Sequence, residues 1–274
     1  MIKPIQARRV QIGLSIVELM VALALGLLLM TGVIQVFLSS RQTYSANEAM
    51  GRMQENGRFA LEFIARSARQ AGYVEPIYLS GKPLPIVRPG CAGLPSTIPA
   101  TLCTTQGAGA GSDTVGFVMQ PSVTDGARRD CLGNTIADDD VLIINHFEII
   151  PATGDKPAAL GCRAYKYNGA NPNGWTSGPD AQELISGIDS LQVLYGVTTA
   201  GDSRSANQYV SADRVTDWSK VRAVRIAVLA NSVDNLTPAP ANRNFALLDA
   251  TPVAIADSRA RQIFTTTIQL KNTD

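Results

Sequence analysis

An uncharged apolar stretch near the start of the chain constrains the fold more than any other feature. Residues Leu19–Ser40, LMVALALGLLLMTGVIQVFLSS, form a run of 22 residues without a charged side chain. As an α-helix this run would be about 33 Å long, which is sufficient to cross a hydrocarbon core of about 30 Å. A buried core helix is the alternative, but such helices seldom stay this apolar over such a length. No second stretch of this kind follows, so the sequence predicts a single membrane span.

The charges that flank the stretch predict its orientation. Lys3, Arg8 and Arg9 precede it, and no acidic residue occurs among residues 1–13. Positively charged flanks stay in the cytoplasm, so we expect the remainder of the chain to be exported. An ordinary secretory signal fits less well. The apolar run exceeds the roughly 7–15 residues of such signals, no convincing small-x-small site follows it, and Glu18 lies at its start.

All four cysteines lie in the part of the chain that we expect to be exported: Cys91, Cys103, Cys131 and Cys162. An even number of cysteines in an exported domain predicts disulfide bonds, here two. Four cysteines permit three connectivities. We favour Cys91–Cys103 and Cys131–Cys162, because this pairing closes the shortest loops. A structural zinc site is not expected, since closely spaced cysteine pairs and the histidines that would complete a site are missing.

Composition excludes several classes of protein. Charged residues make up 17% of the chain and hydrophobic residues 45%, which argues against wholesale disorder. The net charge of +1 does not fit a protein that coats nucleic acid. One histidine leaves little room for His-based catalysis or metal binding, and neither GxSxG nor HExxH occurs. The sequence therefore predicts no enzyme activity, no cofactor and no metal.

A short motif precedes the apolar run. Apolar sequence begins at Leu14, directly after Gly13, and Glu18 is an acid at its fifth position. A carboxylate within a bilayer costs about 2.5–3.5 kcal/mol, so it calls for a partner. The alternative is a first-turn acid that complements the helix dipole, which is worth about 0.3–1 kcal/mol. If the chain were cut after Gly13, the new α-amino group of Leu14 in a neighbouring subunit could pair with Glu18.

This motif, a basic leader and the apolar helix together resemble the signal of type IV prepilins and type II secretion pseudopilins. The resemblance implies that a prepilin peptidase cleaves between Gly13 and Leu14 and methylates the new N-terminus at Leu14. It also implies that Glu18 acts in assembly, and that the helix serves first as membrane anchor and then as filament core. One departure is that Gly26 and Gly32 stand in the middle of the helix, where major pilins commonly carry a proline.

The chain also resembles PilW-like minor pilins. This resemblance covers nearly all of the chain except residues 76–180. It is carried by the first apolar segment and by four later ones: ENGRFALEFIARSARQAGY, ISGIDSLQVLYGV, VTDWSKVRAVRIAVL and RQIFTTTIQLKN. It implies a structural minor pilin that helps prime type IV pilus assembly near the filament tip, supporting twitching motility and adhesion. The alternative is a minor pseudopilin of a type II secretion system.

The same resemblance implies partners and location. The partners would be the prepilin peptidase, other minor and major pilins, a tip adhesin and the inner-membrane assembly platform, with the membrane itself but not nucleic acid. The protein would begin as a single-pass inner-membrane protein with its head in the periplasm. After assembly it would lie at the pilus tip on the cell surface.

Periodicity predicts an α+β fold in which a long helix precedes a mostly antiparallel sheet. The helix should continue beyond Arg41 as an amphipathic segment that ends near Gly72, with an apolar stripe through Met50, Met53, Gly57, Leu61, Ile64, Ala68 and Ala71. Four regions are expected: leader 1–13, membrane and filament-core helix 14–40, amphipathic helix 41–72 and head 73–274. Six runs predict strands: Thr114–Met119, Asp140–Ile150, Arg163–Tyr167, Leu191–Val197, Val221–Ala230 and Ile263–Leu270.

Several polar features of the head have a structural rather than a functional interpretation. Residues 107–112, GAGAGS, lack the lysine of a phosphate loop, so we expect a flexible loop. His146 stands between apolar residues of a predicted strand and is expected to be structural. Asp138–Asp140 and Asp202 lack calcium-loop spacing and should be solvated turns. Lys220, Arg222 and Arg225 should belong to a solvated sheet face, because Val224–Val228 alternates.

Overall fold

The computed structural model of the chain describes residue 13 and residues 15–75, 83–92, 99–120, 123–124, 127–137, 141–154, 156–168, 175–176, 180–199 and 204–273. The chain divides into two compact units, Met1–Asn47 and Glu48–Asp274. The helix α1, Ile16–Gln70, contributes residues to both units. The second unit also contains all of the described strands.

The described part of the first unit is mainly the N-terminal part of α1. Ser15 precedes the helix, and its Oγ accepts a hydrogen bond from the backbone N–H of Val17 at 3.2 Å, which satisfies one of the unpaired donors of the first turn. In the described part of the chain α1 is the one helix long and apolar enough to cross a membrane, with a mean hydropathy of 2.4 over its most apolar window. Every residue from 16 to 40 is exposed. The helical form of the predicted span is therefore confirmed.

The second unit begins with the remainder of α1, which packs through a stripe of mostly small residues: Ala49, Met53, Gly57, Ala60, Ile64, Ala65, Ser67 and Ala68. Two members of the predicted stripe are wrong. Met50 is 46% exposed and Leu61 is half-buried, and the buried stripe runs through Ala49 and Ala60 instead. Small side chains allow the helix to approach the sheet closely. At Gly57 a Cβ atom would overlap the ring of Phe264.

Gly72 ends the helix, as predicted. The backbone of Gly72 has φ +76°, a left-handed conformation that glycine adopts without steric cost. Its N–H donates to the carbonyl oxygen of Val118 at 2.8 Å, and a Cβ atom here would lie 2.5 Å from the carbonyl oxygen of Asn272. The chain therefore leaves the helix at a point held between two other segments of the head.

The strands of the second unit follow the helix in the chain. They are β1 (Val115–Met119), β2 (Val123–Thr124), β3 (Ala127–Arg129), β4 (Thr135–Ile136), β5 (Val141–Ile150), β6 (Ala159–Asn168), β7 (Trp175–Thr176), β8 (Gln182–Ser186), β9 (Ile188–Val197), β10 (Gln208–Val210), β11 (Val221–Asn231), β12 (Arg243–Phe245), β13 (Val253–Ile255) and β14 (Arg261–Gln269). The six predicted strands are confirmed as β1, β5, β6, β9, β11 and β14. The sequence pattern did not predict the short strands or β8. Among the short strands, β7 lies in a stretch rich in turn-forming residues.

Two antiparallel sheets form the body of the head. The first has the order β1-β5-β6-β7, and β8 pairs with the other end of β6. The second has the order β10-β9-β11-β14. Two smaller sheets, β2-β3-β4 and β12-β13, complete the described part of the head. A helix followed by antiparallel sheets confirms the predicted α+β class.

Side-chain hydrogen bonds connect α1 to strands of these sheets. Asn145 of β5 donates from Nδ2 to Ser67 Oγ at 3.2 Å, and Asn56 donates from Nδ2 to the carbonyl oxygen of Ser186 at 3.1 Å. The ring of Phe264 on β14 lies against Gly57. One stripe of α1 thus contacts strands of both large sheets.

The outer face of β11 is more buried than the alternating sequence predicts. Val224, Ile226 and Val228 are fully buried on the inner face, in agreement with the predicted alternation. Ala227 and Leu229 on the opposite face are also fully buried, because they pack with Leu247 and the β12–β13 hairpin. The prediction of a solvent-exposed second face is therefore wrong for this part of the strand.

The close packing at Gly57 yields the first prediction. Gly57→Ala should lower the free energy of unfolding by about 1–2 kcal/mol, because displacing Phe264 outweighs the improved helix propensity. Gly51→Ala is the matched control, since Gly51 is exposed and no atom lies within 4 Å of its Cβ position. It should raise the unfolding free energy by up to about 1 kcal/mol. Urea unfolding of the full chain in detergent measures both. Stabilisation by both substitutions would contradict the packing argument.

Candidate functional site

The residues of the predicted cleavage motif lie at the beginning of the described chain. Gly13 is exposed, and no atom lies within 4 Å of the position that its Cβ would occupy. Leu14 and residues 1–12 lie outside the described residues. Cleavage between Gly13 and Leu14 and methylation of Leu14 therefore stay predictions.

Glu18 lies in the first turn of α1 and is exposed. Ser15 and Glu18 have the spacing of a capping box, and Ser15 does cap the helix. Among the described residues of this chain, no cation forms an ion pair with Glu18. The carboxylate is accordingly available to a cation from another chain, and its role in assembly stays a prediction.

The exposed apolar surface of the first unit is far larger than soluble proteins normally present. Large apolar side chains along residues 16–38 are 49–78% exposed. A monomeric soluble protein rarely exposes a contiguous apolar patch above a few hundred Å². The helix is continuous through Gly26 and Gly32. This surface requires cover by lipid or by other apolar helices, which makes it the main candidate assembly surface of the chain.

Two disulfide bonds join the four cysteines in the favoured pairing. Cys91 and Cys103 are 4.9 Å apart between Cα atoms, and Cys131 and Cys162 are 6.5 Å apart. The first disulfide connects two 3₁₀ turns, Pro89–Cys91 and Ala100–Leu102. Cys91 is the last residue of the first turn, and Cys103 directly follows the second. It packs against a buried cluster formed by Val87, Leu102, Val118, Ile144 and Tyr165. It therefore attaches loop-rich chain to the first sheet.

The second disulfide fixes the β3–β4 hairpin. Cys131 lies in the turn of this hairpin, and Cys162 lies on β6. The backbone N–H of Cys131 also donates to Oδ1 of Asn145 at 3.1 Å. The hairpin is thus held to two neighbouring strands of the first sheet, β5 and β6.

The glycine-rich loop 107–112 is tied down, so the expectation of a flexible loop is wrong. Asp113 accepts hydrogen bonds from the backbone N–H of Gly107 at 2.7 Å and of Val193 at 2.8 Å. Gln192 donates from Nε2 to the carbonyl oxygen of Gly111 at 2.7 Å. These bonds connect the loop to β9, about 80 residues further along the chain. Sequence reasoning missed Asp113, because a single buried acid leaves no local signal.

Burial makes Asp113 sensitive to pH. The side chain is 1% exposed. Burial is the main reason that the pKa of Asp113 is raised to about 6. The two backbone N–H bonds lower the pKa and so oppose this effect, and the charges of Asp249 and Asp213 raise it slightly. The folded head therefore takes up a proton at this site in mildly acidic solution.

His146 is fully buried on β5, where it pairs across the sheet with Gly116 and Arg163. Burial, with a smaller contribution from the charge of Arg163, lowers the pKa of His146 to about 4. The imidazole is therefore neutral near pH 7, as a structural histidine would be.

The other polar features of the head are engaged locally. The guanidinium of Arg225 lies 4.1 Å from the ring centroid of Tyr209, and Arg222 donates to the carbonyl oxygen of Ser219 at 2.7 Å. Lys220 lies 3.8 Å from the carboxylate of Asp217. Asp138–Asp140 and Asp202 lie outside the described residues. Within the described ranges no three His, Cys, Asp or Glu side chains are placed to hold a metal ion.

Comparison with known families bears on the head. Residues 150–272 match the family described as type IV pilus-assembly protein W. Over these residues the chain is similar to that family. The matched region runs from the end of β5 through β14 and contains the whole second sheet. It does not overlap the Gly13–Glu18 motif, so the match does not depend on that motif.

The chain has a distant structural neighbour. It is similar to a type IV-like pilin from Thermus thermophilus, with 15% sequence identity and a TM-score of 0.45, over 81% of this chain and 97% of that one. No curated protein matches the sequence. The prediction of a PilW-like protein therefore depends on the family match and on the chain's own sequence.

The disulfides of the head should contribute strongly to stability. Chain-entropy estimates give about 3 kcal/mol for a loop near 15 residues and somewhat more for a longer one. Separations of 12 and 31 residues place both disulfides near this range. Reduction should therefore lower the thermal unfolding midpoint of the head while the apolar helix stays in the membrane. Peptide mapping that finds four free thiols in the unreduced protein would contradict the pairing.

The raised pKa of Asp113 gives a pH prediction. Between the usual carboxyl pKa of about 4 and the folded value of about 6, the folded state holds a proton that the unfolded chain lacks. The unfolding free energy should consequently fall as pH rises through this range, by at most about 3 kcal/mol. Asp113→Asn should flatten this slope, whatever its effect on absolute stability.

Urea unfolding at pH 4, 5, 6 and 7 measures the slope for both proteins. Glu183→Gln is the control, because Glu183 is exposed and should leave the slope unchanged. Equal slopes for Asp113→Asn and the unsubstituted chain would show that Asp113 does not titrate as described.

Proposed function

We propose that this protein is a structural minor pilin that helps prime type IV pilus assembly and is incorporated near the filament tip. The observation that carries the proposal is the match of residues 150–272 to a family of pilus-assembly proteins. The long exposed apolar helix is what such a subunit needs for insertion and for packing in a filament. In this role the protein supports twitching motility and adhesion without catalysing a reaction.

The N-terminal region passes through two environments in this proposal. Before assembly the leader is cytoplasmic, the span crosses the inner membrane and the head lies in the periplasm. Prepilin peptidase removes residues 1–13 and methylates Leu14. The apolar surface then exchanges lipid for the apolar helices of other pilins, and this exchange keeps the surface out of water throughout.

Glu18 gives the exchange a specific geometry. Outside the membrane interface an exposed ion pair contributes only about 0–1 kcal/mol, but a charge left unpaired in a poorly hydrated environment costs several kcal/mol. Pairing of Glu18 with the α-amino group of Leu14 in an adjacent subunit neutralises both charges. It does so at one axial stagger only, so the pair favours correct registration of the incoming subunit.

The head supplies surfaces for its neighbours in this proposal. The disulfides and the tied loop 107–112 make it rigid, so that contacts with other minor and major pilins are formed without much ordering cost. The tip adhesin and the inner-membrane assembly platform complete the set of partners. A minor pseudopilin of type II secretion is the alternative, and the family match favours the pilus.

Deletion of the gene separates these two assignments. Loss of twitching motility and of surface pili with normal exoprotein secretion supports the minor pilin. Loss of exoprotein secretion with normal pili would overturn it. Complementation with the full chain must restore the phenotype in either case.

Glu18 provides a prediction at residue level. Glu18→Ala should leave leader cleavage and membrane insertion intact and reduce co-purification with partner minor pilins several-fold, because the Leu14 amino group of the adjacent subunit loses its counter-charge. Glu55→Ala is the matched control on the exposed side of the same helix and should co-purify normally. Undiminished recovery of Glu18→Ala, together with normal piliation, would show that Glu18 acts only at the helix start.

A further inference from the structure

A small pocket lies between the second half of α1 and the β3–β4 hairpin. Its volume is about 310 Å³. Phe63, Leu132 and Leu184 form apolar walls, and Arg66 and Arg129 line it as well. This volume is at the lower end of the roughly 300–1,000 Å³ of ligand pockets, so the pocket fits one or two side chains rather than a whole helix.

The floor of the pocket is fixed by buried hydrogen bonds. Asn145 is 4% exposed and bonds on one side to Ser67 Oγ of the helix and on the other to the backbone N–H of Cys131. Cys131 is in turn covalently joined to Cys162 of β6. The helix, the hairpin and the first sheet therefore hold the pocket in one shape, which reduces the ordering cost of an incoming group.

The two arginines make the pocket positive. Arg66 is exposed and has no ion pair among the described residues, and the same holds for Arg129. Nη1 of Arg129 donates to the carbonyl oxygen of Gly133 at 2.8 Å, which anchors its guanidinium above the hairpin.

One acid lines the pocket, and its carboxylate accepts hydrogen bonds from the hairpin turn. This acid, Asp130, is 9% exposed, and its carboxylate accepts from the backbone N–H groups of Leu132 and Asn134, each at 2.9 Å. It accepts from Nδ2 of Asn134 as well, at 3.0 Å. The carboxylate is thus hydrogen-bonded within the hairpin turn, and among the described residues neither arginine has an ion-pair partner.

We propose that this pocket docks a carboxylate side chain and an adjoining apolar side chain from a neighbouring pilin subunit. The inference rests on the proposed function for the existence of such a neighbour. Two guanidinium groups select a carboxylate through charge and paired N–H donors, and the half-exposed Phe63 offers an apolar surface beside them. Arginine and aromatic side chains are the residues that most often anchor protein interfaces.

The larger groove on the other side of the helix lacks this selectivity. It has a volume of about 850 Å³ and lies between α1 and β14. Its arginines, Arg58 and Arg69, are balanced by Glu55 and Glu62, and Arg69 is paired with Glu62 at 3.1 Å. Arg58 therefore supplies a matched control on the same helix for substitutions in the smaller pocket.

The test is co-purification of the full chain with its partner minor pilins from detergent-solubilised membranes. The double variant Arg66→Glu, Arg129→Glu should recover at least about tenfold less partner, because each new carboxylate repels the incoming acid. Arg58→Glu should recover the same amount as the unsubstituted chain. A lysine scan of exposed acids on the partner head should then find one position that restores recovery with the double variant.

A neutral pair of substitutions guards against misfolding. Arg66→Gln, Arg129→Gln should keep the unfolding midpoint and lose the salt dependence of recovery that the unsubstituted chain shows. Recovery that is unchanged in the Glu double variant, or salt dependence that is unchanged in the Gln variant, overturns the pocket assignment. Failure of the unsubstituted chain to recover any pilin would instead count against the proposed function.

Discussion

The close approach of the second half of α1 to the sheets of the head is the interaction on which the rest of the fold depends. Gly57 lies against Phe264 of the second sheet, and Ser67 is bonded to Asn145 of the first. A larger residue at Gly57 would push the helix away from β14. Because one helix face contacts strands of both sheets, its small residues set the geometry of the surrounding head, including the pocket beside Phe63.

The same helix carries the apolar surface of the first unit, and the two roles place opposite demands on its sequence. Residues 16–40 are exposed and uncharged apart from Glu18, whereas the part in the head alternates buried small residues with exposed charges. A head attached to such a helix needs interactions of its own for stability. The two disulfides, the Asp113 hydrogen bonds and the helix stripe provide that stability within the head.

The sequence predicts the features that depend on local pattern or on long apolar runs. The span, the helix end at Gly72 and the six longer strands are of this kind, and the family resemblance is confirmed over the C-terminal region. Features that depend on contacts between distant parts of the chain were not predicted. The hydrogen bond between Asp113 and Val193 joins residues 80 positions apart, and Arg66 and Arg129 line one pocket from separate elements. Met50 and Ala49 fit a helical stripe equally well until the position of the sheet is known.

The proposed function requires this chain to mature as a pilin, with its apolar helix kept at the N-terminus of the processed protein. Mass spectrometry of the N-terminal peptide from membrane-extracted protein identifies that terminus. We expect a chain that begins at an N-methylated Leu14. A chain that still begins at Met1, or one cleaved beyond the apolar helix, would contradict it.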